Sequence, residues 1–173
     1  VLTQFATAKI GAILVNVNPA YRLFELEYVL NKVECKAIIA AEKFKSSEYL
    51  NMLKALAPEL ASCEPGYLRA EKLPHLTTVI RMGPEKSPGM FNFEEVCLFG
   101  NEKHHRRLEE LKTELRPDDA INIQFTSGTT GNPKGATLTH CNILNNGFEA
   151  GKGMGRTPDD SLCIPVPLYH CFG

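Results

Sequence analysis

Short apolar runs alternate with segments of helical periodicity along most of this sequence. The runs that predict strands are residues 12–18, 36–41, 76–82 and 120–125. Elsewhere, apolar residues recur every three or four positions, which predicts helices over residues 2–10, 23–33, 49–60 and 103–115. Strands joined by helix-length connections form parallel sheets with helices on their faces. We therefore predict the α/β fold class, with a mostly parallel sheet flanked by helices.

The other segments are less regular. Pro58 lies inside the periodic run of residues 49–60 and should bend or end that helix. Glycine, proline and serine interrupt residues 83–100, to which we assign no helix or strand. Further along, "GATLTH" predicts a strand after Lys134, residues 140–147 predict the start of a helix, and residues 161–168 predict another strand.

The charge balance argues against two classes of partner. The 173 residues are 43% hydrophobic and 23% charged, with a formal net charge of −1. This balance offers no basic surface to nucleic acid or to an anionic membrane. The basic cluster at residues 103–107 precedes Glu109 and Glu110, and we interpret it as a solvated helix face. No run approaches the roughly 20 consecutive apolar residues that a membrane-spanning helix requires.

The cysteines follow neither a disulfide pattern nor a metal-binding pattern. They are Cys35, Cys63, Cys97, Cys141, Cys163 and Cys171. Because they are scattered and form no C-x-x-C pair, we interpret them as reduced thiols of an intracellular chain, mostly buried as small hydrophobic side chains. Each of His140 and His170 directly precedes a cysteine, but neighbouring strand residues point to opposite faces, so we predict no metal site.

The stretch from Gln124 to His140, "QFTSGTTGNPKGATLTH", combines small residues with a single lysine directly after a predicted strand. Glycines let backbone N–H groups approach an anion, hydroxyls add donors, and a lysine adds a point charge. The glycines are Gly128, Gly131 and Gly135, and the nearby hydroxyls belong to Thr126, Ser127, Thr129 and Thr130. Pro133 restricts the direction in which Lys134 leaves the loop. The pattern indicates a phosphate-binding loop.

Two other interpretations of this loop are weaker. A Walker A loop needs a second glycine where Pro133 stands, a serine or threonine where Gly135 stands, and a helix rather than a strand after Lys134. A P-loop NTPase is therefore disfavoured. A surface hairpin whose glycines only make a turn is the other alternative, but it does not account for nine consecutive residues of this pattern.

Phe125 to Gly135 resembles, without a departure, the signature phosphate loop of the adenylate-forming enzymes, which include acyl-CoA synthetases, luciferases and peptide-synthetase adenylation domains. "PLYHCFG", residues 167–173, is similar to the next motif of that superfamily. "AKIGAILVNVNPAYRLFELEYVLNKVECKAIIA", near the start of the chain, looks like its early segment. The resemblance thus extends over nearly the whole chain.

This resemblance implies a reaction in two halves. A carboxylate attacks the α-phosphate of ATP to give an acyl-adenylate and pyrophosphate, and the thiol of CoA then attacks the adenylate. It implies that ATP is bound by Thr126, Ser127, Gly128, Thr129, Thr130, Gly131, Asn132, Pro133 and Lys134, with Mg²⁺ sharing the phosphate charge. It also implies that His170, Phe172 and Gly173 border the acyl and adenylate pocket, although His170 is as readily a packed histidine at a strand end. The main catalytic lysine is expected outside this chain.

Within the superfamily, "NVNPAYR", "QFTSGTTG" and "PLYHCFG" look most similar to mitochondrial acyl-CoA synthetases of medium-chain fatty acids. The implied partners are a fatty acid, ATP and CoA, and the implied location is the mitochondrion. We expect residues 1–173 to be part of an N-terminal AMP-binding domain, truncated at both ends and inactive alone, with the C-terminal domain absent. The alternative is a non-catalytic truncated product that binds nucleotide or a partner.

Overall fold

The computed structural model describes residues 1–126, 132–167 and 169–170. The chain divides into two compact units. The first comprises Val1–Asn18 and Glu102–Gly173, and the second comprises Pro19–Asn101. Each contains a small sheet with helices, so the predicted α/β fold class is confirmed. In the described part of the chain, no helix combines the length and the apolar character needed to cross a membrane.

The second unit contains a fully parallel sheet. In chain order its elements are α2 (Leu23–Lys32), β2 (Ala37–Ala40), α3 (Tyr49–Leu56), a 3₁₀ turn (Pro58–Ala61), β3 (Thr78–Arg81), β4 (Met90–Asn92) and α4 (Phe93–Cys97). The strand order is β2-β3-β4, with Ala37 opposite Thr78 and Val79 opposite Met90. As predicted, Pro58 follows the end of the α-helix, and the chain continues as a 3₁₀ turn.

Regularly spaced leucines explain the helices of this second unit. The three buried residues of α2 are Leu26, Val29 and Leu30, and those of α3 are Leu50, Leu53 and Leu56. The α2 residues have i, i+3, i+4 spacing and the α3 residues follow every third position, so each set shares one helix face. Leu60, Leu68, Leu73, Leu76 and Val79 are also buried, and burial of such side chains is the main term that stabilises a small domain.

The first unit contains a mixed sheet. Its elements are α1 (Leu2–Ile10), β1 (Leu14–Asn16), α5 (Glu102–Glu114), β5 (Ala120–Thr126), β6 (Lys134–Thr139) and α6 (His140–Gly153). The strand order is β1-β5-β6; β1 and β5 run parallel, whereas β5 and β6 form an antiparallel hairpin. Among its described residues, Ile121 is the only buried apolar side chain, while Phe5, Leu144 and Phe148 are exposed.

Three expectations from the sequence are wrong or incomplete. Residues 161–167 contain no strand, and residues 161–165 are exposed; Pro165 and Pro167 lack the N–H groups that a ladder requires. The five described cysteines have free thiols, but none is buried: Cys97 and Cys163 are exposed and the other three are half-buried. Cys171 lies outside the described residues. Strand β4 and helix α4 were not predicted.

Candidate functional site

The predicted phosphate loop joins the two strands of the β5–β6 hairpin. Phe125 lies opposite Gly135, and Thr126 lies opposite Lys134. Because residues that face each other in an antiparallel pair are held close together, the two ends of the loop are fixed by the sheet. The predicted order of strand, loop and strand is confirmed.

Four of the nine residues predicted to bind ATP are described. Thr126 is the last residue of β5 and Lys134 is the first residue of β6, and both are exposed. The Thr126 hydroxyl donates a 3.4 Å hydrogen bond to the Lys134 carbonyl oxygen. Asn132 is exposed and Pro133 is half-buried. Ser127, Gly128, Thr129, Thr130 and Gly131 lie outside the described residues, and the ATP-binding role of all nine residues stays a prediction.

The start of β6 at Lys134 bears on the disfavoured P-loop interpretation. In a Walker A loop the residue after the lysine continues into a helix. Here Lys134–Thr139 is a strand, and the following helix begins only at His140. The geometry after the lysine is therefore that of a hairpin and contradicts a P-loop.

Gly135 has a packing constraint that the sequence did not indicate. It lies within β6, directly opposite Phe125. A Cβ atom at Gly135 would lie 3.0 Å from Ile123 Cγ2 and 3.4 Å from Phe125 Cε1 and Cζ. The missing side chain thus leaves room for two side chains of the neighbouring strand.

A polar row on one sheet face was missed by the sequence reasoning. Paired residues of adjacent strands point to the same face, and alternate residues of one strand share a face. Asn16 pairs with Gln124, so it shares a face with Gln124 and Asn122, and with the pair Thr126–Lys134. Asn122 is 3% exposed, and its Oδ1 atom has no hydrogen-bond partner among the described residues. The polar alternation in "AINIQFT" is the signal that could have revealed this row.

His170 is the one described member of the predicted acyl pocket. It is exposed, it lies in a bend rather than at a strand end, and its backbone N–H donates a 2.9 Å hydrogen bond to the Pro167 carbonyl. This position does not match a packed histidine at a strand end. Phe172 and Gly173 lie outside the described residues, so the pocket assignment stays a prediction.

Elsewhere in the described part of the chain, neither a groove nor a cluster of metal-binding side chains coincides with the predicted site residues. An open groove of about 510 Å³ in the second unit is lined by residues that include Arg22, Phe24, Asn51 and Met52, none of them a predicted site residue. Within the described residues, no group of three or more His, Cys, Asp or Glu side chains could hold a metal ion.

Comparisons with known proteins extend over the whole chain. A family model described as "AMP-binding enzyme" matches residues 1–173. The chain is 50% identical over 175 residues to the mitochondrial medium-chain acyl-CoA ligase ACSF2 of Danio rerio, and 48% identical over 178 residues to the Homo sapiens protein of that name. Both matches cover 100% of this chain and 29% of the relative. A putative acyl-CoA synthetase of Bacillus subtilis is 42% identical and is covered over 31% of its length.

Solved structures have the same fold. A putative long-chain-fatty-acid CoA ligase from Rhodopseudomonas palustris matches 96% of this chain and 35% of its own, with a TM-score of 0.69 at 20% identity. ATP-bound MatB from Rhodopseudomonas palustris matches 96% of this chain and 27% of its own, with a TM-score of 0.60 at 25% identity. The chain therefore spans about a third or less of the proteins that it resembles.

Proposed function

The chain belongs to the AMP-binding enzyme family, and from that premise we propose that the protein carrying it is an ATP-dependent acyl-CoA synthetase. In the first half-reaction, a carboxylate oxygen bonds to the α-phosphorus of ATP and pyrophosphate leaves. In the second, the sulfur of CoA bonds to the acyl carbon and AMP leaves. The observation that supports this proposal most directly is the hairpin that holds Thr126 opposite Lys134 at the two ends of the loop.

We assign the binding of the β- and γ-phosphates to residues 126–134. Cleavage of the α–β bond places additional negative charge on the departing pyrophosphate, and donors aimed at developing charge accelerate such a step. Lys134 supplies a full positive charge from a residue whose backbone is paired in a sheet. Thr126 supplies a hydroxyl at the opposite end of the loop, which would exchange its 3.4 Å hydrogen bond to the Lys134 carbonyl oxygen for one to a phosphate. Residues 1–173 then form part of an AMP-binding domain whose phosphate loop is this segment.

Mg²⁺ enters the proposal as the counter-ion of ATP. The described residues contain no cluster of carboxylate, imidazole or thiol groups that could form a binding site of its own. Magnesium is commonly carried by substrate phosphates together with one or two protein carboxylates.

The substrate class and the location are drawn from the relatives. Identities of 48–50% to proteins named mitochondrial medium-chain acyl-CoA ligase support medium-chain fatty acids as substrates and the mitochondrion as location. His170, Phe172 and Gly173 are proposed to border the acyl chain. A rate comparison with acetate, octanoate and palmitate tests the chain length, and a maximum away from octanoate would contradict it.

The proposed role of Lys134 is tested in the full-length protein that carries this sequence. Lys134→Ala should slow octanoate-dependent pyrophosphate release by roughly 10²–10³-fold, because one stabilising group is removed from a site of developing charge. Formation of octanoyl-CoA from supplied octanoyl-AMP should change little, since pyrophosphate has already left. Lys152→Ala removes the same charge from the exposed last turn of α6 and is the matched control.

Different outcomes of these assays would contradict the proposed synthetase activity and the proposed role of Lys134. If the wild-type protein releases no pyrophosphate with any carboxylate, the proposed synthetase activity is overturned. A wild-type protein that is active, with Lys134→Ala slowing both half-reactions equally, would overturn only the assignment of Lys134 to the pyrophosphate.

A further inference from the structure

Phe125 and Gly135 form a cross-strand pair directly outside the phosphate loop. They are opposite each other in the β5–β6 register, one position before the pair Thr126–Lys134. The Phe125 ring atoms Cε1 and Cζ lie 3.4 Å from where a Cβ of Gly135 would be. The ring therefore lies at van der Waals distance from a side chain placed there, although Gly135 itself is exposed.

Ile123 is the second side chain of β5 that lies close to the position of a Gly135 Cβ. Its Cγ2 atom lies 3.0 Å from the same point, which is tighter than ordinary contacts between carbon atoms. Ile123 and Phe125 are alternate residues of β5 and so share one face, whereas Thr126 and Lys134 point to the opposite face. Ile123 and Phe125 thus lie on the opposite face of the hairpin from the proposed ATP-binding side chains.

This arrangement bears on the register of the hairpin. A glycine inside a strand weakens pairing, and an aromatic side chain packed across it from the neighbouring strand offsets that weakness. A slip of one residue would turn Lys134 to the other face of the sheet. The long loop between the strands, rich in glycine and hydroxyl residues, does not by itself fix which residues pair.

We propose that Phe125 and Gly135 are positioning residues that lock the β5–β6 register and thereby hold Lys134 and Thr126 at the mouth of the phosphate loop. The register lock acts through Lys134 and rests on the proposed function for its catalytic consequence. Its structural consequence, the pairing of β5 with β6, stands apart from that function.

The first test is Gly135→Ala in the full-length protein. The added methyl group would lie 3.0 Å from Ile123 Cγ2 and 3.4 Å from the Phe125 ring, so β6 or these side chains must move by a few tenths of an ångström, and Lys134 is the next residue along β6. We expect octanoate-dependent pyrophosphate release to fall by about 10-fold, less than the roughly 10²-fold loss that a 1 Å misplacement can cause. Thioester formation from supplied octanoyl-AMP should stay within about 3-fold of wild type, because that step no longer needs pyrophosphate stabilisation.

Matched variants separate positioning from general damage. Gly147→Ala lies on α6, where nothing is within 4 Å of an added Cβ, and should leave both half-reactions unchanged. Phe125→Tyr keeps the ring and should retain activity. Phe125→Leu removes the ring without a clash and should reproduce the selective loss; it replaces Gly135→Ala if that variant does not fold.

A double-mutant cycle tests whether Gly135 affects catalysis through Lys134. If Gly135 acts through Lys134, adding Gly135→Ala to Lys134→Ala should cause little further loss of pyrophosphate release. If the fold-losses of the two single variants multiply in the double variant, Gly135 does not act through Lys134 and the proposed coupling is overturned. Unchanged pyrophosphate release in both Gly135→Ala and Phe125→Leu would also overturn it.

Hydrogen exchange provides a readout that does not depend on activity. Gly135→Ala should accelerate exchange of the backbone amides of β5 and β6, while Gly147→Ala and Phe125→Tyr should not. Unaltered exchange in both Gly135→Ala and Phe125→Leu would overturn the register lock even if the protein proves not to be a synthetase. If exchange is accelerated in these variants but the wild-type protein has no synthetase activity, the register lock is retained and the proposed function is overturned.

Discussion

Arg81 offers the sharpest test of the energetics of the second unit. It ends β3, and its side chain is only 5% exposed. Its Nη2 atom lies 3.2 Å from Glu42 Oε2 and 2.8 Å from Glu85 Oε2, and Nη1 donates a 2.9 Å hydrogen bond to Ser87 Oγ. Arg81 thus connects the segment after β2 with the loop that leads to β4.

Arg81→Met removes the charge and the donors but keeps an unbranched stem. The two carboxylates are 60% and 65% exposed, so water replaces the guanidinium, and each ion pair contributes about 0–1 kcal/mol. The bond to Ser87 adds about 0.5–1.5 kcal/mol. Against these terms, Arg81 Nε is buried without a hydrogen-bond partner among the described residues, and its desolvation penalty disappears in the variant. We expect a net destabilisation of about 1–2 kcal/mol.

The measurement is urea unfolding monitored by far-UV circular dichroism, with the midpoint compared at constant slope. Arg107→Met is the control: the Arg107 side chain is 52% exposed and pairs with Glu110 and Glu114 on the surface of α5. We expect that control to change the free energy of unfolding by less than about 0.5 kcal/mol. An Arg81→Met protein that is as stable as wild type, or more stable, would show that the desolvation penalty outweighs the contacts and would refute the reasoning.

Two further predictions concern the same unit. Gly89 has φ +67°, and a Cβ there would lie 2.5 Å from the Leu60 carbonyl oxygen. Gly89→Ala should therefore lower the free energy of unfolding by about 2–4 kcal/mol, as measured by denaturant titration. Gly100→Ala is the control and should leave it unchanged, because nothing lies within 4 Å of a Cβ at Gly100. The hydrogen bond from Lys86 lowers the pKa of Glu95, so its stabilising contribution is present above the unfolded pKa and is lost as pH falls through the lower folded value. The difference in melting temperature between wild type and Glu95→Gln should accordingly vanish at strongly acidic pH, and a difference that persists there would contradict the ion pair as its cause.

The elements of the fold followed from local patterns, but their pairing did not. Runs such as residues 36–41 and 120–125 have the length and composition of strands, and both form strands. The partner of each strand depends on contacts between residues that are distant in sequence. Leu14 pairs with Asn122, and the whole sequence of the second unit lies between them. Two separate three-stranded sheets are therefore not visible in the periodicity, which carries no information on which strands are neighbours.

The unpredicted elements show a second limit. Strand β4 has only three residues, too few for an alternating pattern to stand out among the prolines and glycines around it. Helix α4 did have a signal: Asn92 and Glu95 have the spacing of a capping box, and the Asn92 backbone N–H donates to Glu95 Oε2. Residues 161–167 show the opposite error, because apolar composition indicated a strand that two prolines prevent.

Gly135 explains why the site was only partly predictable. A glycine can be required for a positive φ, for the approach of a ligand to the backbone, or for space that a neighbouring side chain occupies. The sequence motif alone favoured the second reason, and the structure adds the third, because Ile123 and Phe125 lie across the strand from it. The choice among the three depends on cross-strand neighbours, which only the hairpin register supplies.

The start of a strand at Lys134 also limits what the segment after the lysine can contribute to anion stabilisation in the proposed site. In a P-loop, the helix that follows the lysine directs its N-terminal amides and the positive end of its dipole at the phosphates. A β-sheet has only a small net dipole, and Lys134–Thr139 is a strand. The segment after Lys134 therefore contributes no helix dipole to the proposed site. The side-chain charge of Lys134 has to act without it, so its placement should matter more to phosphate binding than the placement of the lysine does in a P-loop.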